Sequence, residues 1–168
     1  MTELDQVWVG MLDNAATKAE GLGRAEIAEY LRLKATNDAI RSAGVAWLFD
    51  TLIDIATDAQ RSRPMLTIER EEPHNFARGN SRIVGSLLSI SHGVRCLTVE
   101  AGWTRRPGDG VMHGAALAFA RITHFGLPRH SAELRLVHGD ELPNWLGDNG
   151  EAIDSGKLRR HFDLFLDS

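Results

Sequence analysis

The sequence predicts a single α+β domain over residues 1–168, with N-terminal helices packed on a roughly five-stranded antiparallel sheet and a short C-terminal helix. Three observations support this prediction. Apolar residues recur at helical spacing over about 4–62, and they alternate with polar residues over much of 65–138. The remaining stretch, 139–168, is irregular before it becomes helical again, and no repeat or long linker divides the chain. A chain of 168 residues is also of the size at which one hydrophobic core is usual.

Helical patterns occupy the first third of the chain. Residues 4–20 carry one apolar stripe, and Gly21 and Gly23 supply the stop and turn that end a helix. A second helix begins near Arg24, and the capping residues at 36–38 leave two alternatives open: they start a third helix, or they lie inside one long helix. The strongest stripe follows and predicts the most buried helix, with one face formed by Val45, Leu48, Phe49, Leu52, Ile53 and Ala56.

Strands and turns are expected in the second half of the chain. A first strand is predicted over 65–71, and the polar stretch at 72–81 is predicted to be a loop. Alternating patterns predict two later strands over 115–124 and 132–138, and the alanines of the first leave a helical alternative open there. Ser155 can cap the last helix, whose apolar residues share one face: Leu158, Phe162, Phe165 and Leu166.

A β-hairpin is predicted with its turn at His92-Gly93, because glycine supplies the positive φ that two-residue turns require. Strand-like runs lie on both sides of this dipeptide, over 83–91 and 94–103. The register that follows from this turn gives the sheet one mainly apolar and one mainly polar face. On the apolar face it pairs Leu88 with Leu97, Ser86 with Val99, and Val84 with Ala101.

Charge and cysteine content narrow the function classes. The chain has 19 basic and 23 acidic residues, a net charge of −4, whereas nucleic-acid binders usually carry a basic excess. Nucleic acid is therefore an unlikely partner, and no apolar run is long enough to predict a membrane helix. Cys96 is the only cysteine, which excludes an intrachain disulfide and favours a cytoplasmic location. The Arg-rich, Lys-poor composition is of a bacterial type.

The polar face of the predicted sheet is the best candidate for chemistry. Carboxylates that crowd together on adjacent strands repel one another unless a proton or a cation is bound, so such clusters are typical of binding sites. A nearby histidine would add a general acid or base. The face is expected to carry three carboxylates and a histidine, with an aromatic ring and a guanidinium at the rim: Glu69, Glu71, Glu100, His74, Trp103 and Arg105.

Other motifs in the chain are incomplete. The seven histidines show no metal-binding spacing, and no glycine-rich phosphate loop or nucleophile elbow is present, so no metal and no cofactor is predicted. The segment 24–41 resembles the start of a helix-turn-helix, but Arg32 stands where the turn favours glycine. Without a complete catalytic signature, enzymatic activity stays open.

The sequence therefore predicts most strongly a non-catalytic domain that binds a protein partner or a second copy of itself. The second sheet face would be the contact surface, because it carries Gly85, Leu87 and Cys96 among its polar residues, and the open edges of a small sheet would favour pairing. Two alternatives stand beside this prediction. One is a metal-dependent hydrolase or nuclease that uses the sheet carboxylates, and the other is a DNA-binding regulator that uses residues 24–41.

Overall fold

The computed structural model describes residues 3–140 and 142–167. It confirms the α+β class, with two helices, an antiparallel sheet and a closing helix, although the sheet has six strands rather than five. None of the described helices is both long and apolar enough to span a bilayer. In chain order the elements are α1 (Glu3–Gly21), α2 (Ala25–Gln60), β1 (Thr67–Arg78), β2 (Ser81–His92), β3 (Arg95–Trp103), β4 (Ala118–His124), β5 (Ala132–Val137), β6 (Asn144–Leu146) and α3 (Ser155–Asp167).

The sheet is a meander in which every strand pairs antiparallel with the next strand along the chain. One face carries the main hydrophobic core, which α2 and α3 cover. The prediction that the helices pack on the sheet is confirmed, because the α2 residues Leu48, Phe49 and Leu52 share this core with the apolar face of the β2–β3 hairpin. Ile53 is only partly buried at its border. The sheet side of the core includes Leu88, Leu97, Val99, Ile122 and Leu136, and α3 adds Leu158, Phe162 and Phe165.

Helix α2 is continuous over 36 residues, about 54 Å at 1.5 Å per residue. The capping residues at 36–38 lie inside it, so the alternative of one long helix is the correct one. Of these residues, Thr36 donates to the carbonyl of Arg32, and Asp38 accepts from Trp8 on α1 and from Arg41 one turn further along α2. The continuous helix also contains no turn in the 24–41 segment, where a helix-turn-helix would need one.

The hairpin of β2 and β3 has a different turn and register from those predicted. His92 pairs with Arg95, so the turn residues are Gly93 and Val94, and Gly93 has φ 64°, as the first position of a type II′ turn requires. Leu88 therefore faces Val99 instead of Leu97. The shift is two residues, and the assignment of side chains to the two faces is unchanged.

Strand β1 also differs from the prediction. The stretch expected to be a loop at 72–81 instead extends β1 to Arg78, and only the tight turn before Ser81 separates it from β2. The register of the β1–β2 pair shifts between Glu71 and His74, because β1 carries one extra residue there. At the other edge of the sheet, β6 is a three-residue strand within the stretch expected to be irregular.

Candidate functional site

An ion-pair network crosses the polar face of the sheet. His74 on β1 has its Nε2 2.8 Å from Oε1 of Glu100 on β3. Arg121 on β4 donates to the other carboxylate oxygen of Glu100 at 3.4 Å and to Glu133 on β5 at 3.4 Å. Arg78, at the end of β1, donates from Nε to Oε2 of Glu133 at 3.2 Å. The network therefore links four of the six strands through five side chains.

Two glycines make this crossing possible. Gly85 on β2 pairs with His74 on one side and with Gly102 on the other. A Cβ added to Gly85 would lie 1.8 Å from the carbonyl oxygen of Ala101, so no other residue fits without moving the backbone. Because β2 has no side chain at this position, His74 reaches across the strand to Glu100.

The last residues of β1 fold over the same face. Arg78 lies with its guanidinium carbon 3.7 Å from the centre of the Phe119 ring, and the carbonyl of Ala77 accepts from Arg121. A small apolar cluster forms beneath them, made of Ile83, Ala116 and Phe119 with Phe76 and Met112 at its border. This part of the polar face is therefore covered by the chain itself.

The structure brings together only some of the predicted site residues. His74 and Glu100 are hydrogen-bonded. Glu69 and Glu71 lie nearer the other end of β1, where they line a cavity of about 390 Å³ together with Arg70, Leu87 and Ser89. Strand β2 separates these two carboxylates from Glu100. The expected group of three carboxylates is thus divided into a pair at one sheet edge and a single ion-paired carboxylate.

Trp103 and Arg105 form a stack of their own. The guanidinium carbon of Arg105 lies 3.6 Å from the centre of a Trp103 ring. Trp103 is 4% exposed and belongs to the main core, on the sheet face opposite Glu100. The arginine covers the outer side of this buried ring at the end of β3.

The network has a defined chemical character. Both carboxylates in it, Glu100 and Glu133, contact cationic side chains, and His74 with Glu100 has the geometry of a base held by a carboxylate. Among the described residues, no three His, Cys, Asp or Glu side chains are placed to hold a metal ion. Sequence reasoning missed Arg78, Arg121 and Glu133, although Arg121 and Glu133 occupy polar positions of the alternating patterns that predicted β4 and β5.

A second feature is a helical arm, which we define as α1 together with residues 25–39 of α2. Helix α1 packs on α2 more extensively than on any other described element. The seam between the two helices is rich in alanine, since its buried residues are Leu12 and four alanines, Ala16, Ala19, Ala28 and Ala35, with Leu31 partly buried beside them. The sheet begins to cover α2 only at about Ile40, which packs against the main core.

A buried aspartate joins the arm to the rest of the fold. Asp38 is 6% exposed and accepts hydrogen bonds from Trp8 Nε1 at 2.8 Å and from Arg41 Nη1 at 2.7 Å. Lys34 Nζ lies 3.7 Å away. Arg41 also donates from Nε to the carbonyl of Leu117 at 2.7 Å, just before β4. One carboxylate thus holds α1 against α2, and its arginine partner fixes α2 to the sheet.

One face of α2 has the same spacing along the whole helix. Counting in steps of three and four, its positions are 27, 30, 34, 38, 41, 45, 48, 52 and 55. From Val45 onward these positions are buried against the sheet. Before the sheet begins, Ile27 and Tyr30 are 45% and 65% exposed. The face that forms the core therefore continues into the arm without cover.

Helix α1 adds apolar residues to this face. Trp8 is 42% exposed and bonded to Asp38, which places its side of α1 on the sheet-facing side of the arm. Met11 lies three positions after Trp8 and four after Val7, so it neighbours both side chains, and Val7 and Met11 are 56% and 58% exposed. We call the resulting surface the uncovered stripe, which consists of Val7, Trp8, Met11, Ile27 and Tyr30.

A histidine pair lies under α3. His124 on β4 is 3% exposed, and its Nε2 is 3.1 Å from Nδ1 of His161 on α3. Burial, and then the neighbouring His161 and His130, lower the pKa of His124 to about 4. Burial, followed by the nearby His130 and Arg160, also lowers the pKa of His161. Both rings are therefore neutral at pH 7, and one can donate a hydrogen bond to the other.

His124 also borders a mainly apolar cavity of about 320 Å³ at the end of the sheet. Its other lining residues include Val94, Cys96, Phe125, Leu127 and Phe165.

Comparison of the chain with protein-family models, with curated proteins and with solved structures found no match.

Proposed function

We propose that this protein is a non-catalytic protein-interaction module that docks through its helical arm, with the sheet and α3 as the base that holds the arm. The observation that carries this proposal is the uncovered stripe. It continues the face of α2 that is buried further along the helix, and it consists of large side chains between 42% and 65% exposed. This moves the contact surface from the sheet face, where the sequence pattern suggested it, to the arm.

The size of the stripe supports an interaction role. Large side chains have about 150–250 Å² of surface each, so its five residues expose on the order of 500 Å² of mainly apolar area. That is near the upper end of the largest apolar patch on a typical monomer, about 300–600 Å², and such patches often have a binding function. Leu33 on the same arm and Leu22 in the turn at its tip are also exposed, at 59% and 67%.

The alanine-rich seam of the arm supports the same role. Burial of apolar surface stabilises a helix pair by roughly 25 cal/mol per Å², and four of the six residues at this seam are alanines, which provide little of it. A bidentate contact of Arg32 with Glu20, at 2.6 and 2.9 Å, adds little more because both side chains are about half exposed. A partner that covered the stripe would add larger apolar contacts to those of this seam.

The state of the sheet carboxylates favours a structural role for the polar face. Glu100 and Glu133 are held in ion pairs that join β1 to β3, β4 and β5, whereas a metal-dependent hydrolase needs carboxylates available to a cation. The hydrolase alternative and the DNA-binding alternative both stay predictions, and neither gains an observation from the arrangement of these residues.

Site-specific photo-crosslinking in cells that express the protein tests the proposal. A benzophenone amino acid replaces Tyr30 in one variant and Glu29 in another, because Glu29 is the exposed neighbour on the same turn but outside the stripe. We expect a discrete protein adduct from position 30 and none from position 29. Equal labelling at both positions, or no adduct at position 30, would contradict a docking role for the stripe.

A further inference from the structure

We propose that the partner that covers the uncovered stripe is a second copy of this chain, and that the two arms pack antiparallel about a two-fold axis to form a four-helix bundle. This inference rests on the proposed function and names the partner for the same surface. A two-fold axis brings the same patch of both copies together, so one apolar stripe can cover another.

The area of the stripe matches a dimer interface. Homodimer interfaces are about 65% apolar, so an apolar centre on the order of 500 Å² corresponds to roughly 800 Å² per protomer. That is the area that each partner contributes to a stable interface of standard size, about 1,600 Å² in total. The stripe itself carries no charged side chain, and Lys34 and Arg41, which lie on the same face of α2, both contact the carboxylate of Asp38.

The direction of packing follows from the position of the sheet. The stripe faces the same side of α2 as the sheet does, since its positions continue those of Val45 and Leu52. If the arms ran parallel, the two sheets would project into the same space between them. If they run antiparallel, each base lies beyond the tip of the other arm.

The length of the arm fits this arrangement. The 15 residues of α2 before the sheet extend about 22 Å, which is the overlap that an antiparallel pair would have. The hydrogen bond from Trp8 to Asp38 marks the base of the arm, and the packing of Ala19 with Ala28 lies near its tip. Ala15 is exposed, four residues beyond Met11 on the same side of α1, and it lies near the middle of the overlap. The two-fold axis therefore passes close to Ala15, and Met11 of one arm packs near Tyr30 of the partner subunit.

Sedimentation of the purified full chain tests whether the partner is a second copy of the same chain. We expect a dimer at 50 µM for the wild type, a monomer for Met11→Glu, and a dimer for Thr17→Glu, which places the same charge at an exposed position six residues after Met11, on another side of α1. Circular dichroism confirms that each variant is folded, and Tyr30→Glu serves as the stripe variant if Met11→Glu does not fold. A monomeric wild type, or a dimeric stripe variant, would overturn the inference. If the wild type is a monomer but position 30 still crosslinks to another protein in cells, the interaction role stands and only the second copy is wrong.

Disulfide trapping tests whether the two arms pack antiparallel. In a Cys96→Ser background, Ala15→Cys is expected to form a disulfide dimer under mild oxidation, because the two copies of residue 15 meet near the axis. Val7→Cys lies eight residues away on the same stripe, so its two copies would be about 24 Å apart, far beyond the reach of a disulfide. Crosslinking through Val7→Cys as fast as through Ala15→Cys would rule out the antiparallel arrangement.

Discussion

Trp8 donates its indole N–H to the carboxylate of Asp38 across 30 residues of sequence, at 2.8 Å. The carboxylate is buried and is balanced by Arg41, which is itself bonded to the chain just before β4. This polar cluster therefore helps to fix the orientation of the helical arm, beside the alanine-rich seam between α1 and α2. Polar clusters of this kind depend on geometry, and losing one member leaves the others unpaired.

Asp38→Ala should therefore destabilise the protein by about 3 kcal/mol, the range for removing one partner of a buried ion pair. The loss follows because the mutation leaves Arg41, Lys34 and the Trp8 indole without their acceptor. Urea unfolding followed by circular dichroism measures it. Asp54→Ala is the control, since Asp54 is an exposed aspartate of the same helix, and its effect should stay within about 0.5 kcal/mol. Equal effects of the two substitutions would contradict the role of Asp38 in holding α1 against α2.

Leu52→Ala should cost about 2 to 5 kcal/mol, because Leu52 is fully buried between α2 and the sheet and its truncation leaves a cavity. Met65→Ala, at a methionine that is 78% exposed, is the matched truncation of a large apolar side chain outside the core. Chemical denaturation should separate the two variants clearly. A loss below 1 kcal/mol for Leu52→Ala would mean that α2 does not form the core.

Alanine in place of two different glycines should change stability in opposite directions. Gly85→Ala is expected to cost at least 3 kcal/mol or to prevent folding, since its Cβ would lie 1.8 Å from the Ala101 carbonyl oxygen. Gly10→Ala in α1 meets no atom within 4 Å and should stabilise the protein by about 0.5 to 1 kcal/mol, because alanine has the higher helix propensity. Thermal unfolding midpoints compare the pair directly, and a stabilising Gly85→Ala would refute the close approach of β2 and β3.

Stability should fall as the pH decreases from about 6.5 toward 4. The unfolded chain protonates His124 near its ordinary pKa of 6.5, whereas the folded protein keeps this ring neutral until a pKa of about 4. The unfolded state therefore binds more protons over this range, which makes the contribution of His124 to stability complete above pH 6.5 and lost on acidification. Between pH 7 and pH 5 the loss from His124 alone is about 2 kcal/mol.

Urea unfolding at pH 7 and pH 5 checks this dependence. His124→Gln should reduce the difference between the two conditions, while His113→Ala, at an exposed histidine, should leave it unchanged. An equal difference in wild type and His124→Gln would assign the pH dependence to other groups.

The fold could be predicted largely because the buried faces have simple periods. The stripe of Leu48, Phe49 and Leu52 is set by the helical repeat, and the alternation of β2 and β3 by the strand repeat. The predicted register of that hairpin was wrong by two residues. The predicted assignment of side chains to the two faces was still correct, because a shift of two residues returns each side chain to the same face. Alternation alone cannot distinguish such registers. Here the turn geometry decides between them, with the positive φ of Gly93 at the first turn position instead of the second.

The candidate sites were less predictable because they depend on contacts between distant segments. His74 and Glu100 were identified as polar residues of one face, but their hydrogen bond requires the bulge in β1 and the close approach at Gly85. The exposure of Ile27 and Tyr30 depends on where the sheet ends beneath α2, which no local pattern encodes. Their spacing is the same as that of the buried residues further along the helix, so the sequence pattern alone would predict that they are buried in the core.

The two outer strands of the sheet are poor templates for further strands. β6 has only three residues, so it offers few free backbone groups at one edge. At the other edge, β1 is interrupted by its extra residue next to Pro73, which has no N–H to donate. Edge-to-edge stacking of sheets, the first step of many fibrils, is disfavoured at both ends. Concentrated solutions of this protein should therefore remain free of cross-β aggregates.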